Sequence, residues 1–284
     1  MVQKIIGLYS NNQAYTHFNK SNLFVEISNS HLAVWVRAES NNNIIAVEVF
    51  SINEQLSFDW DDIFYEIRKQ SVLLDKTYII ANIFYNNNES VLVPAYKFNA
   101  GTASGFLDIM FGSNDDCVEK YDSIDCWGEQ MYNVYRINPA LSTLIKTNFI
   151  TITEFHTYSG LLKNLSIQKD NQQGDGLYVN FYNQSFIAFV IKNKKIQLIQ
   201  TFKYTIPEDV LYYLLNLVEN FKLVLTSDPL TISGMIEQNG TIIQLLQKHF
   251  TNVYIASVDN SEIAFEQDTH YPLHYFTPFF NLQV

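Results

Sequence analysis

Leu177-Tyr178-Val179-Asn180-Phe181, Ser185-Phe186-Ile187-Ala188-Phe189-Val190-Ile191 and Ile196-Gln197-Leu198-Ile199-Gln200-Thr201-Phe202-Lys203-Tyr204 are three strand-like runs in succession. They are rich in β-branched and aromatic residues and are joined by short polar turns, which is the pattern of consecutive antiparallel strands. Pro207-Glu208-Asp209 then opens a helix, with proline in the first turn and two acids at the positive end of the dipole. Val210, Leu211, Leu214, Leu215, Leu217 and Val218 supply its apolar face. Residues 223–225 suit either more helix or a strand; a helix end and loop is favoured, because Pro229 precedes the better strand Leu230-Thr231-Ile232. That strand ends on Ser233-Gly234 and leads, through Asn239-Gly240, to a helix over 241–250. The order is β-β-β-α-β-α, with a further strand over 252–257.

A looser copy of this order opens the chain. Leu23, Val25 and Ile27 alternate with Phe24, Glu26 and Ser28, and strands follow over 31–38 and 44–51. A helix is expected over 59–70, where Phe58, Ile63, Ile67 and Leu74 keep helical spacing and Asp59, Asp61 and Asp62 read as capping acids rather than a metal cluster. Strands over 77–85 and 90–95, a short helix over 103–111, a strand over 130–137, a helix from Pro139, a strand over 149–155 and a helix over 158–165 complete the first half. The polar, Gly-rich passage around 170–176 marks the boundary. Three parts are expected: a polar, loosely docked arm over 1–21, one unit over 22–170, and a second over 171–284 whose aromatic tail (Phe276, Phe279, Phe280, Leu282) docks on it.

Composition limits the function. With 47% hydrophobic and 15% aromatic residues, the chain has the apolar surface to order itself. A net charge of -11, with the 18 basic residues scattered, argues against nucleic acid as a partner. No apolar run approaches the ~20 residues that span a bilayer, so no membrane insertion is expected. The first ten residues lack a signal-peptide pattern, which points to the cytoplasm. Cys117 and Cys126 form neither a CxxC nor a framework and fit a reducing compartment.

Five stretches, in this order, resemble an uncharacterised bacterial family, the domain of unknown function 3822 family, known mainly from Bacteroidetes. They are residues 25–36, Phe106-Leu107-Asp108-Ile109-Met110-Phe111-Gly112, residues 205–215, Leu230-Thr231-Ile232-Ser233-Gly234 and Tyr271-Pro272-Leu273-His274-Tyr275-Phe276. The duplicated β-β-β-α pattern is similar to the actin-like ATPase superfamily. The resemblance implies an α/β, duplicated, two-lobed actin-like ATPase (ribonuclease H-like) fold, each lobe opening with a three-stranded meander followed by α/β units. The family implies a fold and no activity.

Active members of that superfamily carry an Asp, and a Gly beside it, in the first hairpin of each lobe; the Asp positions magnesium and the Gly admits phosphate. This chain has Glu26-Ile27-Ser28 at the first such place, and Asn180 or Val179 with Phe181 or Tyr182 at the second. The adenine-binding Gly-Gly is reduced to Ser233-Gly234 followed by Met235. The candidate interlobe-cleft residues are therefore Glu26, Ser28, Asn180, Ser233 and Gly234, with no catalytic residue and no metal ligand assigned. His270 and His274 have the spacing of a helical zinc pair, but Pro272 lies between them. His156 lies near Ser159 without nucleophile-elbow spacing.

Two classes of function stay open. One is a non-catalytic scaffold that binds an unidentified protein and uses no cofactor, with a cleft that is filled or lacks a phosphate cradle and an exposed apolar patch or sheet edge elsewhere. The other is an ATPase or kinase-type enzyme holding ATP and magnesium through Glu26 and Ser233 across an open cleft. A ligand sensor that keeps the clamshell without turnover is a lesser third. Homo-oligomerisation is compatible with each.

Overall fold

Many strands of this chain are apolar on both faces, which calls for layers on both sides of the sheets that hold them. The computed structural model describes residues 2–11, 18–53, 59–126, 128–167, 175–265 and 270–284. The elements run β1 (Val2–Tyr9), β2 (Ser21–Ile27), β3 (His31–Ala38), β4 (Ile44–Ile52), α1 (Trp60–Gln70), β5 (Ile80–Tyr85), β6 (Ser90–Pro94), α2 (Ala103–Phe111), β7 (Val118–Cys126), β8 (Glu129–Ile137), α3 (Pro139–Asn148), β9 (Ile152–His156) and α4 (Thr157–Ile167). They continue as β10 (Gly176–Phe181), β11 (Ser185–Lys192), β12 (Lys195–Lys203), α5 (Pro207–Phe221), β13 (Leu230–Gly234), α6 (Thr241–Gln247), β14 (Val253–Ile255) and α7 (Thr277–Phe280).

The first sheet has the order β1-β4-β3-β2-β5-β9 and the second β12-β11-β10-β13-β14. In the first, β4, β3 and β2 are antiparallel neighbours and β2, β5 and β9 run parallel. In the second, β12, β11 and β10 are antiparallel and β10, β13 and β14 parallel. Apart from β1, the two sheets share one order. A third sheet, β6-β8-β7, stands beside them.

Residue parity assigns the faces. Leu23, Val25 and Ile27 of β2 pack outward with Trp60, Phe64 and Ile67 of α1 and Leu141, Leu144 and Ile145 of α3. Leu177, Val179 and Phe181 of β10 do the same with Val210, Leu214 and Leu217 of α5 and Ile243 and Leu246 of α6. The opposite faces, including Phe24, Ala33 and Trp35 of the first sheet and Tyr178, Ile187 and Phe189 of the second, share one core with Tyr158, Leu161 and Leu162 of α4 and with Phe279 and Phe280 of α7. The tail docks as expected: Phe276, Phe279, Phe280 and Leu282 are at most 1% exposed.

Local chemistry sets the helix ends. Asp59 caps α1 by accepting from the Asp61 amide at 2.9 Å, so the expected capping role holds. The Asp209 carboxylate accepts from the amides of Thr205 (2.8 Å) and Ile206 (3.1 Å) ahead of α5. Lys222, at φ 54°, ends that helix in the left-handed conformation, and residues 223–225 leave it as a loop.

Two elements differ from expectation. Val2–Tyr9, expected within a loosely docked arm, is an edge strand antiparallel to β4. A register shift between Lys4 and Ile6 breaks its alternation, and Lys4 Nζ turns back to Glu48 Oε1 at 2.6 Å and the Gln70 carbonyl at 3.0 Å. The other is β7, absent from the sequence reading. The boundary expected near residue 170 lies outside the described residues.

Candidate functional site

Glu26 lies on the same face of β2 as Phe24, so parity aims it at the second sheet. It is completely buried, and four side chains donate to it. Oε1 accepts from Asn86 Nδ2 at the end of β5 (3.0 Å), Thr157 Oγ1 at the start of α4 (2.9 Å) and the Tyr182 hydroxyl (3.0 Å). Oε2 accepts from His31 Nε2 on β3 at 3.2 Å. A carboxylate offers about four lone-pair sites; here three donors crowd Oε1 and one meets Oε2.

Tyr182 immediately follows β10 and shares the inward parity of Tyr178. Its ring is 1% exposed, stacks on His31 at 4.9 Å and 18°, and meets Phe279 edge-on at 5.8 Å. Burial first, and the adjacent Glu26 charge second, hold its phenol far above the ordinary range, so it stays a donor. An aromatic ring and its hydroxyl thus fill the space between the two hairpins, where a glycine would leave room for phosphate. His31 is oriented from behind: its Nδ1 lies 2.8 Å from Ser28 Oγ, which also accepts the His31 and Ser30 amides at 3.0 and 3.2 Å.

The five candidate residues do not meet in one open cavity. Ser28 borders a recess of about 410 Å³ with Asn29, Asn87, Arg136 and Asn138. Asn180 and Ser233 border another, of about 400 Å³, with Asn164, Phe189, Asp259 and Asn281, and they bond to each other through Ser233 Oγ and Asn180 Oδ1. Glu26 lines neither recess. Gly234, at φ +95°, sits so close to β10 that a Cβ there would lie 2.1 Å from the Phe181 carbonyl oxygen. That close approach alone requires glycine.

Of the remaining sequence candidates, His270 is exposed while His274 and His156 resolve into packing. His274 is buried, with Nε2 2.8 Å from the Ile236 carbonyl. His156 is fully buried, with Nδ1 accepting the Tyr158 amide and Nε2 3.0 Å from the Asn87 carbonyl, and burial pushes its pKa down to about 3. Both ring nitrogens are thus engaged by backbone, which leaves no base for Ser159. Among the described residues no group of three or more His, Cys, Asp or Glu could hold a metal, and no helix is long and apolar enough to cross a membrane.

Sequence reasoning missed His31, Asn86 and Thr157, which join Glu26 from 5, 60 and 131 residues away. Only His31 left a trace, through its place at the start of a strand next to a Ser-containing turn.

A family model described as a protein of unknown function (DUF3822) matches residues 10–253. Among solved structures, the fold is similar to that of a Bacteroides thetaiotaomicron protein with an actin-like ATPase fold and unknown function, at 15% identity and a TM-score of 0.75, covering 87% of this chain and 94% of that one. It is also similar to a chain of the PilM–PilN type IV pilus biogenesis complex, at 11% identity and a TM-score of 0.64, covering 92% of this chain and 95% of that one. Such identities show the fold alone, and they bear out the resemblance to an actin-like fold. No functionally curated protein matches the chain at a significant level.

Proposed function

The chain belongs to the DUF3822 family of proteins of unknown function, and we propose that it is a non-catalytic, two-lobed actin-like protein whose nucleotide cleft is closed by its own side chains and which serves as a protein-binding scaffold. The two lobes correspond to the two large sheets; their common strand order supports a duplication, each copy opening with an antiparallel meander.

The observation that carries the reading is the enclosure of the fully buried Glu26 by four donor side chains, with Tyr182 reaching it from the second sheet. An ATPase needs Glu26 and Ser233 to face one open cavity. Here the carboxylate is enclosed and Ser233 is engaged with Asn180 in a separate recess. Glu26, Ser28, Asn180, Ser233 and Gly234 accordingly join and shape the two lobes. The PilM–PilN complex, whose name pairs a protein of this fold with a partner, adds an analogy for the scaffold role.

Ligand that binds only the folded chain raises its stability by about 2.7 kcal/mol at a hundredfold excess over Kd. Thermal unfolding with millimolar ATP and magnesium is therefore expected to leave Tm unchanged. A rise of several degrees that requires both ATP and magnesium overturns the reading.

A further inference from the structure

Strands β2 and β5 run parallel and end side by side, with Ile27 opposite Tyr85. After β2 the chain turns back to β3 on one flank, while β9 lies on the far flank of β5, so the connections diverge between these two strand ends. In an open α/β sheet, such a divergence at the carboxyl ends leaves a crevice that takes ligands. Here it holds the recess of about 410 Å³ that Ser28 borders, a volume within the roughly 300–1,000 Å³ of small-molecule sites. Residues 28–29 and 86–89, which follow the two strands, line it together with Asn114, Asp116, Cys117 and residues 136–138. No described residue of the lining lies beyond Leu141, so the recess belongs to the first half alone and is not the space between the two large sheets.

The walls are held in place by their own hydrogen bonds. Asn87 donates to the Arg136 carbonyl and accepts the Glu89 amide, both at 3.0 Å. Asn114 accepts the Asp116 amide at 3.0 Å, and Arg136 Nη1 donates to the Gly112 carbonyl at 2.8 Å. Ile27, Trp60, Tyr85 and Leu141, all buried, give the recess an apolar base. Its polar groups are mostly amides. The side chains of Asn29 and Asn88 are exposed and make no hydrogen bond among the described residues. Asn138 accepts the Ala140 and Leu141 amides through Oδ1, and its Nδ2 is left for an occupant. A side-chain amide offers donors and an acceptor side by side, which complements a hydroxyl group, itself both donor and acceptor. Charge narrows the class. Arg136, the one cation among the described residues of the lining, is already held by Asp108, with Glu89 at 3.8 Å, while Asp116 has no cation partner. An anionic ligand would meet carboxylates and no free cation. A cationic ligand would gain little, because Glu89 and Asp116 are both open to water and exposed ion pairs contribute only about 0–1 kcal/mol.

We infer that this recess binds a neutral, polyhydroxylated small molecule, a cyclic polyol of monosaccharide size, with the amides of Asn29, Asn88 and Asn138 taking its hydroxyls and the apolar base meeting its C–H face. Two residues on the border, Asn86 and Ser28, also bond Glu26 and His31, so the occupant sits beside the cluster that joins the two halves. The site goes beyond the scaffold reading and stands or falls separately from it.

The test titrates the full chain, followed by backbone NMR, with a panel of neutral hexoses, pentoses and inositols, each beside its phosphate ester and, for the hexoses, its 2-amino derivative. At least one neutral member is expected to saturate in the millimolar range or below, with shifts confined to residues 27–29, 86–89, 114–117 and 136–138. Its phosphate ester is expected to bind at least tenfold more weakly, and an amino derivative no more than threefold more tightly. Asn29→Ala and Asn88→Ala, both at exposed positions, are each expected to weaken binding several-fold, as loss of a neutral hydrogen bond does, with the spectrum outside the recess unchanged. No saturation by any neutral member up to tens of millimolar, shifts centred elsewhere, or undiminished affinity in both variants overturns the site. A phosphate ester within tenfold of its parent, or an amine more than threefold tighter, overturns the ligand class. Each of these outcomes leaves the scaffold reading standing, whereas magnesium-dependent ATP binding defeats that reading whatever the polyol does.

Discussion

Tyr182 and Glu26 join the two halves through one hydroxyl and one carboxylate. Tyr182→Phe keeps the ring stack on His31 and removes only the donor. A hydrogen bond to a charged acceptor contributes about 1.5–3 kcal/mol, so denaturant unfolding is expected to show a loss in that range; a change within ~0.3 kcal/mol would mean that Glu26 is satisfied without it. Gly234→Ala introduces a Cβ 2.1 Å from the Phe181 oxygen at φ +95°. The left-handed cost of about 1–2 kcal/mol adds to that clash, so the variant is expected to lose at least ~3 kcal/mol or fail to fold; a near-neutral result would contradict the assigned close approach. The sequence displayed the departures at Glu26, Ser28 and the second hairpin, because they sit at fixed places in strands of clear period. It also displayed an aromatic residue in the glycine's place, Phe181 or Tyr182, but not the contact that Tyr182 makes: Glu26 lies 156 residues away, and no local pattern records that bond.

At the scale of elements, β1 is held by Lys4 and Glu48. Burial alone would raise the Glu48 carboxyl, but hydrogen bonds from Lys4, Ser71, Tyr9 and the Val72 amide outweigh it and hold the group below the usual carboxylate range. A pKa depressed in the folded state gives stability that is complete above the unfolded value of about 4.3 and is lost as the pH falls through the folded one. Glu48→Gln is therefore expected to flatten the acid limb of the stability curve below about pH 5. It should also lower neutral-pH stability by about 2–3 kcal/mol, less than for a fully buried pair because Lys4 keeps some exposure. An unchanged acid limb in the difference curve would contradict this role. The same element escaped sequence reading because the shift at Lys4 to Ile6 and the inward lysine destroy period two. β7 escaped for a related reason. Its burial alternates, but the inward positions include the polar Lys120 and Asp122. Asp122 is buried and accepts the His156 amide at 2.8 Å and the Tyr135 hydroxyl at 3.2 Å, so a core position carries an acid. Where strands are plainly apolar, as in β2 to β4 and β10 to β13, pattern and structure coincide to within a residue or two.

At the scale of the whole molecule, two sheets of one strand order enclose α4 and the C-terminal aromatic cluster. Gly160 of α4 lets that helix lie so close to the first sheet that a Cβ would fall 2.7 Å from the Phe84 ring. The shared core leaves the polar cluster around Glu26 as part of the joint between halves and not as the floor of an open cleft. The strand order that the two large sheets share was legible because each half repeats the same order of strands and helix in sequence. The third sheet was not, since its strands are separated by a helix and pair out of chain order. The proposal that the nucleotide cleft is closed is tested most directly by a calorimetric titration of the full chain with ATP and magnesium, repeated on Glu26→Gln. No heat of binding up to millimolar nucleotide, in either protein, is the predicted result. Saturable, magnesium-dependent binding by the natural chain that weakens in Glu26→Gln would contradict the account and place Glu26 in a working nucleotide site.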